Sequence, residues 1–458
     1  MERYKNVFVG DTAVSDFIDP DKLAYLPLVE IPAKFNPFAR KGIRIFFKMM
    51  QMHPLQNVKA LPALSMLKEK GRQLQGAHLI ENSSGNTVSS LATIGRIFGA
   101  ESITAIVSNE ISMQKLNMLR FFGLDIEVNL EPICPEADDP KSGIYKAKQR
   151  AKKKGWINPG QYNNEKNPDA HYSWTGPQIY DQLEGKIDYF VSGMGTTGTL
   201  VGTSRYLKEK IPSIKTIGVV RAFNNPIPGP RTKTLLRQVD FAWKENCDEV
   251  VEVTTVDAFK MSLDLCREGL LVGPSSGMSL VGALQILQQK YAERDNIEKT
   301  INVVIIACDG PFVYLEDYFK YLPAENFSEV KNKELLTIIS SEGKSTIPEI
   351  TVDDLHKRQG AIDSRMLILD VRDKSDFTSK SIENSYNISD SSITEIKNLI
   401  KRENKQIVIV CRRGVSSLRK AEELYREGIK DVYSLKGGIV EWLQKSYPVV
   451  RNSRCAIN

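Results

Sequence analysis

Residues 187–210 read IDYFVSGMGTTGTLVGTSRYLKEK: an apolar run, a turn rich in glycine and threonine, and then a helical pattern. The apolar run predicts a buried strand, and the turn predicts a loop that opens a helix. Glycines let the backbone approach a phosphate group, which free N–H groups and the positive end of the helix then bind. Hydroxyl donors come from Thr196, Thr197 and Thr199. The stretch therefore predicts an α/β unit with a phosphate site, with a plain tight turn as the alternative.

The spacing of Gly193, Gly195 and Gly198 also fits the fingerprint of a dinucleotide-binding loop. That interpretation requires an acidic residue at the end of the next strand, where it binds the ribose. The next predicted strand, TIGVV, is followed by Arg221 instead. The sequence thus disfavours an NAD site and favours a simpler phosphate group.

The same alternation of strands and helices continues on both sides of this unit. Between about residues 20 and 320, apolar runs such as AHLIEN, SITAIVSN, KTIGVV and TINVVIIAC alternate with helical patterns, which predicts largely parallel sheets covered by helices. A polar stretch with Ser-Ser and Gly predicts a linker, and a smaller α/β pattern follows. We expect a large domain of two α/β subdomains over 1–325, a linker over 326–345 and a small α/β domain over 346–458.

Composition narrows the class of protein. The 458 residues are 41% hydrophobic and 26% charged, which excludes a mainly disordered, collagenous or membrane-embedded chain. The net charge is 62 − 56 = +6, without a dense basic run interleaved with aromatics, so we expect no nucleic-acid partner. The basic segment 139–168 is interpreted as a solvated helix and loop. The N-terminus lacks an apolar core, and no apolar run reaches about 18 residues, so we expect a cytoplasmic protein without a membrane span.

The cysteines indicate reduced thiols. They form no C-x-x-C pair and have no histidine cluster nearby, so we expect neither a disulfide framework nor a metal site. A buried structural role suits two of them, Cys266 and Cys308. The six are Cys134, Cys247, Cys266, Cys308, Cys411 and Cys455.

Three further motifs place chemistry-bearing residues at helix starts. ENSSGNTVSSLA at 81–92 offers hydroxyl and amide donors suited to a carboxylate, although a doubly capped helix is the alternative. Lys59 lies just before a predicted apolar-periodic helix. Because the dipole favours anions at the start of a helix, a lysine there indicates a functional reason, and a solvated surface charge is the alternative. VGPSSGMSLVGAL at 272–284 is another small-residue turn into a helix.

Together these motifs resemble the fold-type II pyridoxal-phosphate enzymes, in particular the cysteine synthase and cystathionine β-synthase group. The resemblance covers about residues 20–320 and rests on motifs in the family's order: PLVEI, HPLQNVK, SSGNT, QYNNEKNPDAHYSWTGPQIYDQLEGKIDYFVSGMGTTGT and GPSSG. It implies pyridoxal 5'-phosphate as cofactor, a small amino-acid substrate and a homodimer.

The resemblance also implies roles for individual residues. Lys59 matches the lysine that carries the cofactor, and is preferred to Lys41, which lies before the strand RIFFKMM. Asn86 matches the contact to the ring hydroxyl, and Ser275 matches the hydroxyl facing the pyridine nitrogen. The phosphate loop is matched by Gly195, Thr196, Thr197, Gly198 and Thr199, and the binders of the α-carboxylate by Ser83, Ser84, Thr87 and Gln161.

A neutral hydroxyl at Ser275 has a mechanistic implication. A carboxylate partner would keep the ring nitrogen protonated and the ring a strong electron sink, whereas a serine supports an uncharged nitrogen. That favours prompt elimination of a β-substituent followed by addition of a nucleophile, with Lys59 removing the α-proton. Two departures concern the substrate: Ala60 and Leu61 follow the lysine where the family has Asp-Arg, and the segment 221–243 is unusual.

The small domain contains a candidate sulfur-handling loop. Its residues are Cys411, Arg412, Arg413, Gly414, Val415, Ser416 and Ser417, between the strand QIVIV and the helix LRKAEELYREG. Backbone N–H groups, the helix dipole and two arginines favour an anionic sulfur at such a junction.

The surroundings of this loop resemble a rhodanese domain. Over about 346–450 the matching stretches are ITVDDLHKR, LILDVRDKSDF, IVIVCRRGVSS and LKGGIVEW. Cys411 then matches the persulfide-carrying cysteine, and Asp370 and Arg372 match a structural pair. Lys380 and Ser381 replace the family's Gly-His.

The fusion suggests a joint function. Our hypothesis is a β-elimination or β-replacement on a serine- or cysteine-type amino acid, coupled to sulfur transfer through a persulfide on Cys411. One alternative reverses the flow: a cysteine desulfhydrase or cystathionine synthase-type activity passes sulfur to the rhodanese domain. Another keeps the large domain as a degenerate scaffold for a sulfur relay, and sulfur transfer to RNA is a further option.

Overall fold

The computed structural model describes residues 7–130, 138–293, 299–332, 347–359 and 366–451. The chain divides into two compact units, Met1–Phe327 and Ser328–Asn458. Most of the expected linker, along with Cys134 and Cys455, lies outside the described residues.

The larger unit alternates strands and helices, as predicted. Its strands are β1 (Leu28–Glu30), β2 (Ile43–Met49), β3 (His78–Asn82), β4 (Ser102–Ser108), β5 (Asp125–Asn129), β6 (Trp156–Ile157), β7 (Tyr189–Gly193), β8 (Lys215–Arg221), β9 (Glu249–Val253) and β10 (Ile301–Ala307). Its helices are α1 (Ala13–Ile18), α2 (Ala60–Lys70), α3 (Asn86–Ile97), α4 (Met113–Phe121), α5 (Gly143–Arg150), α6 (Lys166–Ala170), α7 (Gly176–Gln182), α8 (Gly198–Lys210), α9 (Trp243–Asn246), α10 (Thr255–Arg267), α11 (Pro274–Tyr291) and α12 (Leu315–Tyr321).

Two sheets organise this unit. One has six strands in the order β1-β2-β10-β7-β8-β9, parallel throughout except for the antiparallel pair β1–β2. The other has four parallel strands in the order β5-β4-β3-β6. The central strand β10 is buried along all seven residues, as expected for a strand covered by helices on both faces. The predicted class, parallel-type sheets in two α/β subdomains, is confirmed.

The topology brings the predicted motifs to the carboxyl ends of strands. β7 leads into α8, β3 leads into α3, and β10 ends at Ala307. In open parallel sheets ligands bind at these ends, where helices begin. The fold therefore directs two of the predicted motifs toward the place where a ligand is expected.

The basic segment 139–168 is only partly solvated. Lysines at 152–154 are exposed, but α5 buries Ile144 and Ala147 and packs against β3 and β4. Asn167 and Pro168 in α6 are also buried. The expectation of a solvated helix and loop is therefore wrong for the inner face of this segment, because its apolar and small residues recur at helical spacing between the lysines.

The smaller unit is a parallel five-stranded sheet in the order β11-β15-β14-β12-β13. Its strands are β11 (Glu349–Ile350), β12 (Met366–Asp370), β13 (Ser385–Asn387), β14 (Gln406–Val410) and β15 (Val432–Leu435). Its helices are α13 (Val352–Gln359), α14 (Lys374–Ser379), α15 (Ile393–Glu403), α16 (Val415–Arg426) and α17 (Gly438–Gln444). In the described ranges of both units, every helix is too short or too polar to span a membrane.

Candidate functional site

A cavity of about 480 Å³ opens in the larger unit. Its wall brings together residues from four predicted motifs that are far apart in sequence. Those present are Lys59, Ser83, Ser84, Asn86, Thr87, Gln161, Gly195, Thr196, Thr199 and Ser275. Thr197 and Gly198 stand in the same loop as Thr196 but are not part of the wall.

Hydrogen bonds from two backbone N–H groups, those of Lys59 and of the preceding Val58, hold Lys59 at the N-terminus of α2. Its own N–H donates to Asn57 Oδ1 at 2.9 Å, and the N–H of Val58 donates to the carbonyl of Cys308 at 2.7 Å. Burial lowers the pKa of the Lys59 ammonium, although the neighbouring Cys308 and Asp309 oppose the shift. A neutral amine is the form that acts as a nucleophile or a base.

Lys41, the other lysine considered, has a different environment. Its Nζ donates to the backbone carbonyls of Tyr291, at 3.0 Å, and Ala292, at 2.8 Å. These carbonyls lie at the C-terminal end of α11, where a cation is favourable. Lys41 therefore has a structural partner and does not belong to the cavity wall.

The loop between β7 and α8 has the features of a phosphate site. Thr197 adopts a positive φ of 67° at the start of the 13-residue helix α8. Its Oγ1 is buried and has no hydrogen-bond partner among the described residues. A Cβ at Gly195 would lie 2.9 Å from the Gly229 carbonyl, so the backbone needs glycine there. An unsatisfied hydroxyl and free N–H groups at a helix start suit the phosphate of a cofactor.

Two buried side chains support this loop, and our sequence reasoning missed both. Asn167 Nδ2 donates to Thr196 Oγ1 at 3.1 Å and to the Gln161 carbonyl at 2.7 Å. His171 Nε2 lies 3.1 Å from Thr199 Oγ1, and burial lowers the His171 pKa to about 3, so the ring is neutral. Both residues lie within the stretch that carried the resemblance. The residues around them form no motif that indicates a chemical role for either side chain.

The start of α3 forms another part of the cavity wall. The Thr87 hydroxyl donates to Gln161 Oε1 at 2.8 Å, and Gln161 Nε2 donates to the Asn82 carbonyl at 3.0 Å. Both Thr87 and Gln161 are buried, whereas Ser83 and Ser84 are half-buried at the cavity wall. The first N–H groups of a helix lack intrahelical partners, so this end of α3 can bind a carboxylate.

A buried carboxylate, missed in the sequence, orients Asn86. Asp309 Oδ2 accepts from Asn86 Nδ2 and from the Tyr314 hydroxyl, both at 2.6 Å. Its Oδ1 is buried without a hydrogen-bond partner among the described residues, and burial raises the Asp309 pKa. The signal in the sequence was weak: Asp309 is the first charged residue after the apolar strand β10.

Cys308 corrects an expectation. The sequence favoured a buried structural role, yet Cys308 lines the cavity between Lys59 and Ser275. Burial raises its pKa to about 11, so it remains a neutral thiol. Cys266 keeps the structural role, with its thiol donating to the Val272 carbonyl at 3.4 Å.

In the smaller unit, Cys411 stands between β14 and α16 with 4% of its surface exposed. The N–H of Gly414 donates to its Sγ at 3.1 Å, and the Ser417 hydroxyl lies 3.3 Å from the same sulfur. Gly438 packs directly on this loop with φ 59°, and a Cβ there would lie 2.4 Å from the Cys411 carbonyl. The second glycine of LKGGIVEW, Gly438, is therefore required by close backbone contact.

The rest of the persulfide loop divides into an exposed and a buried part. Arg412, Arg413 and Ser416 are exposed, Val415 is half-buried, and Ser417 is buried, 2.8 Å from Ser434 Oγ.

Two other predicted features of this unit have structural roles. The buried Asp370 and Arg372 form a bidentate ion pair, with its shortest contact at 2.7 Å. Ser381, at the divergent Lys380-Ser381 position, is buried and pairs with Val450 in an isolated antiparallel bridge.

Two family models match the chain. A model described as pyridoxal-phosphate dependent enzyme matches residues 22–309. A model described as rhodanese-like domain matches residues 351–445. The first covers both sheets of the larger unit, and the second covers most of the smaller unit.

Individual proteins match the larger unit. The chain is 31% identical over 282 residues to "Cysteine synthase B" of Escherichia coli K12, covering 60% of this chain and 87% of that protein. A hydrogen sulfide-producing enzyme from Fusobacterium nucleatum superposes with a TM-score of 0.55 at 26% identity, covering 64% of this chain and 96% of that one. An O-acetylserine dependent cystathionine beta-synthase from Helicobacter pylori superposes with a TM-score of 0.54 at 27% identity, covering 65% of this chain and 96% of that one.

Proposed function

The chain belongs to the pyridoxal-phosphate dependent enzyme family and carries a C-terminal rhodanese-like domain, and from this we propose that it catalyses β-elimination and β-replacement on a serine- or cysteine-type amino acid, coupled to sulfur transfer through a Cys411 persulfide. It is an enzyme of the cysteine synthase type, with pyridoxal phosphate as its cofactor. The observation that carries the proposal is the single cavity that unites a lysine, a phosphate-type loop and a carboxylate-type helix start.

The residues of the cavity fit the cofactor. Lys59 would carry it, the loop Gly195–Thr199 would bind its phosphate, and Asn86 and Ser275 would contact its ring. When bound, pyridoxal phosphate withdraws electrons from the α-carbon of an amino acid. The lowered pKa of Lys59 supports a second role, in which its amine takes the α-proton.

The amino acid would bind through its carboxylate at the start of α3, on Ser83, Ser84, Thr87 and Gln161. The Thr87–Gln161 hydrogen bond fixes both side chains before the substrate arrives, which reduces the ordering cost of binding. A serine at 275 cannot ionise and would leave the ring nitrogen uncharged. This supports loss of the β-substituent followed by addition of a nucleophile.

Cys411 would carry sulfane sulfur. The Gly414 N–H that points at its Sγ, together with the start of α16, can stabilise an anionic persulfide. Release of that sulfur as sulfide consumes two electrons, which two equivalents of a thiol supply as they form a disulfide. The sulfide then adds to the β-carbon, and cysteine is the product.

The reverse flow is the second candidate. The likeness to a hydrogen sulfide-producing enzyme supports a reaction in which the larger unit releases sulfur from cysteine. Cys411 would then receive sulfur in a step that requires an added two-electron oxidant. A thiol amino acid as nucleophile would instead give a cystathionine-type product, as the name of the Helicobacter pylori protein indicates for that relative.

A labelling experiment separates the two directions. Cys411 is loaded from thiosulfate carrying radioactive sulfane sulfur, excess label is removed, and O-acetylserine and dithiothreitol are added. We expect labelled cysteine from the wild type and none from Cys411→Ser, which should still use free sulfide. Cys266→Ser is the matched control and should retain the transfer. Equal labelled product from Cys411→Ser would contradict coupling through Cys411.

A second arm tests the large-domain chemistry itself. Lys59→Ala should lose both the visible absorbance of the bound cofactor and all turnover. The reverse direction is tested by supplying cysteine with labelled sulfur, together with an oxidant, to the wild type. If sulfur flows in this direction, the label is expected on Cys411. A protein that remains colourless after addition of pyridoxal phosphate would overturn the proposal. The homodimer and the cytoplasmic location stay predictions.

A further inference from the structure

A buried carboxylate that the proposed reaction does not use adjoins the amino-acid site. Glu81 is the first residue of the motif ENSSGNTVSSLA and the penultimate residue of β3. Only 2% of its surface is exposed, and it does not belong to the cavity wall, whereas Asn82 and Ser83, which follow it, do. Burying a charged side chain is costly unless hydrogen bonds compensate for the lost water. The groups that hydrogen-bond to Glu81 therefore indicate what the carboxylate does.

Four neutral donors surround the Glu81 carboxylate. Its Oε1 accepts from the N–H of Asn82 at 3.1 Å. Its Oε2 accepts from the N–H groups of Gly160, at 3.0 Å, and Gln161, at 3.2 Å, and from Asn158 Nδ2 at 3.3 Å. Burial raises the pKa of Glu81 to about 7, although these hydrogen bonds oppose the shift. All four partners are donors, so they favour the ionised carboxylate, which only accepts.

These hydrogen bonds join β3 to the loop that follows β6. The parallel pairing of the two strands ends at Leu79 and Ile157. Beyond that point the Glu81 side chain accepts from the N–H groups of Gly160 and Gln161. Both residues are buried, and buried backbone N–H groups need an acceptor. Removing the carboxylate would therefore leave two N–H groups of this loop unsatisfied.

The loop brings Gln161 to the amino-acid site and fixes it at backbone and side chain. Its N–H donates to Glu81, its Oε1 accepts from the Thr87 hydroxyl at 2.8 Å, and its Nε2 donates to the Asn82 carbonyl at 3.0 Å. The second N–H of this amide can donate to a ligand. Gln161 and Thr87 both line the cavity and are two of the proposed α-carboxylate binders. Glu81 therefore sets the position of a group that meets the substrate, without lining the cavity itself.

We propose that Glu81 is a positioning residue for the amino-acid substrate, which holds the Gln161 amide where it binds the α-carboxylate. The inference rests on the proposed function and adds to its substrate site a residue that touches neither substrate nor cofactor. A site whose groups are already in place loses less entropy when the substrate binds. Loss of the Glu81 carboxylate should therefore weaken substrate binding and leave the chemistry at Lys59 intact.

Support of the phosphate loop is the rival role for Glu81. Asn167 Nδ2 donates both to the Gln161 carbonyl, at 2.7 Å, and to Thr196 Oγ1, at 3.1 Å. A displaced Gln161 could thus also disturb the cofactor site. Asn167, however, is buried within α6, and the helix rather than Glu81 sets its position. We therefore expect the effect to reach the substrate and not the cofactor.

Steady-state kinetics of Glu81→Gln with O-acetylserine and sulfide test the positioning role. Glutamine keeps the shape but has one acceptor oxygen and two N–H donors where the carboxylate has two acceptors. We expect KM for O-acetylserine to rise about tenfold, as for an unsatisfied buried donor, while kcat and KM for sulfide change by less than about twofold. Glu127→Gln is the matched control on β5 of the same sheet, where the exposed Glu127 pairs with Arg150 at 2.8 Å. It should leave all three constants unchanged.

A binding measurement separates carboxylate recognition from general damage to the site. L-alanine has the α-carboxylate without a leaving group, and L-alaninamide lacks the carboxylate. Calorimetry of the holoenzymes should show alanine binding about tenfold more weakly to Glu81→Gln than to the wild type, and alaninamide binding equally to both. In a Gln161→Ala background the further effect of Glu81→Gln should disappear, because the two residues act as a unit.

Two results of these titrations would overturn the inference. One is an equal loss of affinity for alanine and alaninamide, which would show a merely structural role. The other is a loss of affinity for pyridoxal phosphate, titrated into the apo form of Glu81→Gln, which would assign Glu81 to the cofactor site.

The wild type alone can also refute the inference, so a variant that fails to fold cannot hide a failure. Hydrogen exchange should find the N–H groups of Gly160 and Gln161 protected before an amino acid is added, and alanine should leave that protection unchanged. Rapid exchange that alanine slows would show that the loop is not held in advance and would overturn the inference. Turnover by the wild type with an unchanged KM in Glu81→Gln also overturns it and leaves the proposed function standing. If the wild type turns over no serine derivative, both fail.

Discussion

Replacing Lys48 by methionine should make the stability of the larger unit less dependent on pH. Lys48 is fully buried on β2, and its Nζ donates to Leu26 O at 2.6 Å and to Gln178 Oε1 and Gln182 Oε1, each at 2.8 Å. All three acceptors are neutral oxygens. Burial lowers the Lys48 pKa from 10.5 to about 7.

The sign follows from proton counting. Between pH 7 and 10.5 the unfolded lysine is protonated while the folded one is largely neutral, so the unfolded state binds more protons and the free energy of unfolding rises with pH. One pH unit corresponds to about 1.4 kcal/mol. Because the folded lysine is still half protonated at pH 7, its titration adds about 2 kcal/mol to the free energy of unfolding between pH 7 and pH 9.

Methionine has a similar length but does not titrate. The difference in unfolding free energy, wild type minus Lys48→Met, should therefore rise by about 2 kcal/mol from pH 7 to 9. Urea unfolding followed by circular dichroism measures it, and other titrating groups cancel in the difference. Lys34→Met, at an exposed lysine paired with Glu268, is the control for removing a lysine at the surface. A pH-independent difference for Lys48→Met would refute the reasoning.

Three further changes test the two sites. His171→Phe removes a hydrogen bond to the phosphate loop and should lower affinity for pyridoxal phosphate about tenfold in absorbance titrations. The effect should be equal at pH 6 and 8, since burial lowers the His171 pKa to about 3. Gly438→Ala pushes a Cβ to 2.4 Å from the Cys411 carbonyl and should impair sulfur loading, measured as thiocyanate formed from cyanide. Arg372→Met leaves the Asp370 carboxylate buried and unpaired, which should destabilise the smaller unit by about 3 kcal/mol in urea unfolding.

Matched variants give these predictions their controls. Gly428→Ala has a positive φ of 96° but open space around the new Cβ, so it should strain the backbone without reducing sulfur loading. If both glycine variants load sulfur equally, contact with the Cys411 loop is not what position 438 requires. Cofactor affinity that falls between pH 8 and 6 in the wild type, but not in His171→Phe, would show that His171 titrates there.

The fold was predictable because its signals are local. The apolar runs of β7 and β10 and the glycine turn before α8 lie within single short stretches, so strand, loop and helix can be recognised in order. The choice of Lys59 over Lys41 also rested on local context, because Lys41 lies directly before the predicted strand RIFFKMM. In the structure Lys59 lines the cavity, whereas Lys41 donates to carbonyls at the end of α11.

The supporting residues of the site could not be predicted because they act over long sequence distances. Asp309 contacts Asn86 across 223 residues, and Asn167 contacts Thr196 across 29. A carboxylate after a strand and an asparagine in a helix are common, and their pattern does not show which motif they will meet. Cys308 was misjudged for the same reason: burial was expected, but the identity of its neighbours was not.

The loop between Arg221 and Arg231, which follows β8, has an evolutionary consequence. Residues 222–230 are closed at their ends, where the Arg221 N–H donates to the Arg231 carbonyl at 3.1 Å and the Arg231 N–H donates to the Met194 carbonyl at 2.8 Å. Within the loop, the Pro226 carbonyl accepts from the Thr255 hydroxyl at 3.1 Å. A segment closed in this way can change length and composition while the strands keep their register. Drift in this one loop can therefore alter which amino acid is accepted, while the lysine and the phosphate loop are inherited intact. Transplanting 221–231, with the flanking arginines, between relatives is the corresponding engineering route.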